Sequence, residues 1–187
     1  MKLKKLTGWL PSLLGALFIG ALNTVGDLIW DNWIRSHRLY FGVLHGALLC
    51  AAMGLVFGLV SGAPGTLKKG PLFALAIGVV SAASYYLFAT WLGFWAMLLS
   101  WCLLWLLFAW LQQILGTGAR GLGWILVRGF GAGILSGLAF YAIVDIWRHP
   151  SPHPNYWYHF GAWSIAFFPG FLVLFLHRSV GEQILKA

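Results

Sequence analysis

Apolar residues in this chain come in long runs with few interruptions, not in the alternating or one-sided stripes of a water-soluble fold. A helix needs about 20 mostly apolar residues to cross a bilayer, and charge, Gly and Pro divide the chain into segments of about that length. The predicted spans are Leu6 to Ile29, Leu39 to Ser61, Pro71 to Ala89, Phe94 to Leu115, Leu122 to Ile146 and Tyr158 to Leu176. The third and fourth share one stretch, Pro71 to Leu115, which is too long for a single crossing and is expected to turn back around Thr90 to Phe94. The pattern predicts an all-α, polytopic integral membrane bundle of six transmembrane helices, with residues 1–187 as a single transmembrane domain.

Composition agrees with that class. The chain is 60% hydrophobic and 9% charged, where soluble domains carry about 25% charge. Its net charge of +8 would suit nucleic acid, but the placement of the charges gives them a topological cause. With an even number of crossings both termini share a side. Lys2, Lys4, Lys5, Lys68, Lys69, Arg120, Arg128, Arg178 and Lys186 fall on that side, and only Arg35, Arg38 and Arg148 fall opposite. Cytoplasmic loops are the ones enriched in Lys and Arg, so both termini are expected in the cytoplasm, with the lipid bilayer and no nucleic acid as partner. A short compact chain with this bias suits a bacterial cytoplasmic membrane. Met1 to Ala21 does not read as a cleaved signal peptide, because it lacks a small-residue cleavage site before Asn23 and Asp27. Cys50 and Cys102 lie within apolar runs and suggest neither a disulfide nor a CxxC metal site.

Helices in lipid pack through small residues that let backbones approach. Gly42, Gly46, Gly54, Gly58 and Gly62 in the second span and Gly129, Gly133 and Gly137 in the fifth, with Gly131 beside them, are read as contact faces. In the first span Ala16, Gly20, Asn23 and Asp27 recur at i, i+4, i+7 and i+11, along one helix face. That face must avoid lipid. An ionisable group within a membrane is a functional candidate by default, and Asp27 is the first choice here. Arg128, about one turn into the fifth span, is expected to snorkel to the inner headgroups. Of the tryptophans, Trp9, Trp30, Trp33, Trp91, Trp95, Trp147 and Trp157 fit the two interfaces, while Trp101, Trp105 and Trp110 lie deeper as lipid-facing or packing bulk.

The chemistry concentrates on the side opposite the termini. Asp27, Trp30, Asp31, His37, Tyr40, Phe41 and His45 form one hairpin end; Asp145, Trp147, His149, His153, Tyr156 and His159 form another with similar spacing, as a tandem repeat would produce. His45 lies roughly 9 Å inside its helix at 1.5 Å per residue, a depth at which Asp27 is expected to partner it. Asn23, Asp27 and His45 are expected to line a ligand pocket, and Asp31, Asp145, His149 and His159 to form its mouth. The loop His149-Pro-Ser-Pro-His153 is stiffened by proline. It is open to two readings, a capping and interface loop or, with His159, a divalent metal site of imidazole and carboxylate.

These features suggest a solute- or ion-binding transport component for a small polar solute or cation. In size and segment count the chain is similar to the substrate-binding subunits of energy-coupling-factor vitamin transporters, a likeness of architecture carried by no shared motif. No HExxH, GxSxG or P-loop pattern is present, which weighs against an enzyme. The alternatives are a membrane enzyme using the Asp and His cluster with a metal, or with haem held near His45 and His159, and an accessory subunit or homo-oligomer packed against other membrane subunits.

Overall fold

The computed structural model of the chain describes residues 8–33, 38–62, 65–115, 121–144 and 155–184. Among these residues the regular structure is wholly helical. The elements are α1 (Trp9–Trp33), α2 (Arg38–Ser61), α3 (Thr66–Leu92), a short 3₁₀ turn (Gly93–Trp95), α4 (Ala96–Ile114), α5 (Leu122–Ile143) and α6 (Tyr156–Ile184). Five helical stretches are long and apolar enough to cross a membrane, where the sequence predicts six spans. The difference lies in Thr66–Ile114, which by length and composition counts as one stretch of 49 residues. It is not one straight rod. The hydroxyls of Ser84 and Ser100 lie 3.0 Å apart, whereas the 16 residues between them in a continuous helix would span about 24 Å.

The fold-back has identifiable causes. Gly93 adopts φ 54° and ψ −133°, a backbone state that an L side chain rarely adopts. Tyr141 of α5 then fills the gap, donating from its hydroxyl to the Phe94 carbonyl at 2.8 Å and accepting from the Leu98 amide at 3.2 Å. Two backbone groups left over by the broken ladder are thereby satisfied, as apolar surroundings demand. At the other end of this stretch α3 begins before the expected Pro71, at Thr66, and runs through the proline. Pro71 is the sixth helical residue, past the first turn of unpaired amides, so it leaves the Leu67 carbonyl without an i+4 donor.

Neighbouring helices run in opposite directions around a ring: α1 packs on α6, α6 on α5, α5 on α4, α4 on α3 and α3 on α2. The α1–α2 seam that closes the ring is much sparser, although a short connection leads one to expect close neighbours. The two end hairpins thus pack differently, α5 extensively on α6 and α1 barely on α2.

Small residues explain the tightest of these contacts. A methyl at Gly54 would lie 2.5 Å from the Gly70 carbonyl oxygen, and Gly46 faces Ala82 and Gly78 across the same interface. Gly129, Gly133 and Gly137 of α5 lie on Leu106, Cys102 and Leu98 of α4, while Gly131 faces open space. The interior is aromatic: Phe57 stacks on Phe108 with centroids 5.0 Å apart, and Trp105 meets Phe171 edge-on at 5.3 Å. Large apolar side chains also cover the outside, including Leu14, Phe18 and Val25 on α1, Leu48, Leu55 and Leu59 on α2, and Leu135 and Leu138 on α5. Such a surface suits hydrocarbon and would be untenable in water.

Arg128 corrects one expectation. It does not snorkel; it is buried, donating to the carbonyl oxygen of Leu174 at 2.6 Å and to that of Val173 at 3.3 Å. Gln112 joins it, with its side-chain NH2 on the same Leu174 carbonyl. The guanidinium is held inward because α6 offers it carbonyl acceptors within reach, which a headgroup would otherwise have to supply.

Candidate functional site

The polar residues of the α1 C-terminal end meet the N-terminal ends of α2 and α6. Periodicity places Ala16, Gly20, Asn23 and Asp27 on one face, and the structure turns that face inward. Ala16 and Asn23 are buried, and Gly20 lies against Ser164 of α6. The close approach at Gly20 brings α6 near enough for its first turns to reach Asp27. His159 Nδ1 is 2.8 Å from Asp27 Oδ2, and Trp163 Nε1 donates to the same oxygen at 2.7 Å. His159 and Trp163 are four residues apart and share a helix face. Tyr156, one turn earlier, donates to Asp31 at 3.3 Å and packs its ring against His159 at 5.4 Å. A carboxylate within an apolar bundle is thus met by two N–H donors, which offsets its desolvation.

His45 does not pair with Asp27 as expected. Its Nε2 lies 2.6 Å from Asn23 Oδ1, one helical turn deeper than Asp27. Glycine decides this: the imidazole rests on Gly26, where any Cβ would occupy its place. Phe41 stacks on the other side of the ring at 5.6 Å and 6° and in turn contacts Trp30 at 5.2 Å. Because the amide oxygen can only accept, Nε2 is the donor in this pair, and the Asn23 NH2 keeps its two donors for other partners.

Beside this network lies a cavity of about 240 Å³ lined from five of the six helices. Asn23, His45 and Trp163 form its network side; Ser81, Tyr85 and Tyr86 of α3 and Trp101 of α4 contribute to the remaining wall. It lies beside the sparse α1–α2 seam, with Asn23 of α1 on one side and residues of α2, α3 and α4 on the other. Asp27 stands behind the wall, bonded to Trp163, which lines the cavity.

Of the expected site residues, the structure brings Asn23, Asp27, Asp31, His45 and His159 to one end of the bundle. Asp145, His149 and His153 lie outside the described residues. Among the described residues no three His, Cys, Asp or Glu side chains converge as a metal site would require. Sequence reasoning placed Tyr156 in the second hairpin end without a partner and missed Trp163 and Ser81. Trp163 was open to discovery at i+4 from His159, whereas Ser81 carries no local signal. Comparison of the chain with protein-family models, with curated proteins and with solved structures finds no match.

Proposed function

We propose that this protein is a small-molecule-binding component of a membrane transport system. In this reading the chain crosses the bilayer six times, with the fold-back at Gly93–Trp95 separating the third and fourth crossings, and keeps both termini in the cytoplasm of a bacterial cell. The cavity then lies toward the external face. One observation carries the reading: a partly open cleft of about 240 Å³ between the helices, with Asn23, His45 and Trp163 in its wall. Packed interiors hold few voids larger than a water molecule, and a concave apolar site with a few placed polar groups is the usual form of a ligand pocket. Asp27 acts as a positioning residue, fixing Trp163 and His159 and having no place in the cavity wall.

The reading is tested by what the protein retains. Wild type and Met97→Trp, whose larger side chain projects from a wall residue, are purified in nanodiscs and their bound small molecules compared by mass spectrometry. A compound held near one per chain by the wild type and lost from the filled variant is the expected result. Identical profiles would sink the proposal.

A further inference from the structure

We infer that the cavity takes an uncharged, largely apolar molecule of one or two rings whose oxygen, hydroxyl or carbonyl, hydrogen-bonds to Ser81. The inference rests on the binding reading above and departs from the small polar solute or cation expected from sequence.

Three observations support it. First, Ser81 is 5% exposed, lines the cavity, and its hydroxyl has no hydrogen-bond partner. Helical serines commonly bond back to the preceding turn, as Ser100 does to the Ala96 carbonyl and Ser164 to that of Phe160. A buried hydroxyl left unsatisfied is destabilising, and a ligand oxygen would satisfy it. Second, among the described residues no Asp, Glu, Lys or Arg lines the cavity. A charged guest would have no Asp, Glu, Lys or Arg side chain in direct contact to pair with, which disfavours it. Third, the wall includes the aromatic side chains of Tyr85, Tyr86, Trp101, Trp163 and Phe167. Rings stack on such walls, and 240 Å³ exceeds the ~150 Å³ that admits benzene while falling below the ~300 Å³ where drug-sized pockets begin.

The full-length protein in nanodiscs is titrated with 1-naphthol, naphthalene, 1-naphthalenesulfonate and 1-naphthylmethylammonium, followed by calorimetry and tryptophan quenching. Naphthol is expected to saturate one site per chain and both ions to bind at least about tenfold more weakly. Ser81→Ala should weaken naphthol about fivefold, the equivalent of one neutral hydrogen bond, and leave naphthalene unchanged, with Ser81→Thr restoring naphthol. Met97→Trp should abolish binding of both. Tighter, Met97→Trp-sensitive binding of either ion overturns the uncharged class while the binding reading stands. Equal losses of naphthol and naphthalene in Ser81→Ala overturn the hydrogen bond to Ser81. If none of the four probes shows saturable binding sensitive to Met97→Trp, both the class and the binding reading fall.

Discussion

Asp27 shows how one carboxylate organises the end of a bundle. Its Oδ2 is approached by His159 at 2.8 Å and Trp163 at 2.7 Å, so removing it strands two N–H donors at once. Asp27→Ala is expected to lower stability by about 2–3 kcal/mol, the range for hydrogen bonds to a charged group. Asp27→Asn, which keeps an acceptor, should cost less. Reversible unfolding in mixed micelles measures both, and a double-mutant cycle with His159→Ala should be strongly non-additive; additive losses would contradict the pairing. Arg128 makes a parallel case at the opposite end. Arg128→Lys keeps the charge but ends one atom short of the terminal guanidinium nitrogen that reaches both the Leu174 and Val173 carbonyls, and should cost about 1–3 kcal/mol in the same assay. Residue types and spacing made Asp27, Asn23 and His45 legible as candidates, because polar groups in apolar runs stand out. Partner choice was not legible. Which of Asn23 and Asp27 meets His45 depends on the absence of a Cβ at Gly26, a contact between helices that periodicity along one helix cannot show.

At the level of elements, glycine has opposite meanings at different positions. Gly54 lies against the Gly70 backbone, so Gly54→Leu must drive α2 and α3 apart and should cost about 1–3 kcal/mol. Gly131 faces open space on the same kind of helix, and Gly131→Ala should be neutral or stabilise by about 0.5–1 kcal/mol. Gly93 also has nothing within 4 Å, yet Gly93→Ala should destabilise by about 1–3 kcal/mol, since its φ of 54° is the obstacle. Thermal unfolding of the three variants in one detergent separates these cases; a neutral Gly54→Leu would refute the close α2–α3 contact. The glycine faces of α2 and α5 could be read from their four-residue spacing, except that Gly62 lies past the end of α2 at φ 63° and, like Gly131, meets nothing within 4 Å; the approximate place of the fold-back could be read too. The partner face on α3, Gly70, Ala74, Gly78 and Ala82, repeats at the same spacing and was equally readable. Helix ends were less so: Pro71 suggests a start, and α3 nonetheless begins at Thr66, because local propensity yields to packing near a terminus.

For the whole molecule, the six-crossing reading gives a direct test. Alkaline phosphatase fused after Gly93 should be active and the same reporter after Ala187 inactive, as expected for an external fold-back and a cytoplasmic C-terminus. Activity at Ala187 would reverse the assignment and move the cavity to the other face. The sequence conveyed the class of fold and the end at which polar residues gather. It did not convey the ring order, in which α1 pairs chiefly with α6, because long apolar runs of similar composition carry little information about which of them will be neighbours.

That pairing has a consequence for biogenesis. The carboxylate of Asp27 finds His159 only 132 residues later, so on the ribosome the first helix is made long before the one that neutralises its polar face. Until the last helix emerges, Asp27 must be shielded by the insertion machinery or remain at the membrane boundary. Chains stopped after α5 should therefore be recognised as incomplete and degraded, and quality control would in effect be reading whether the first and last helices have met.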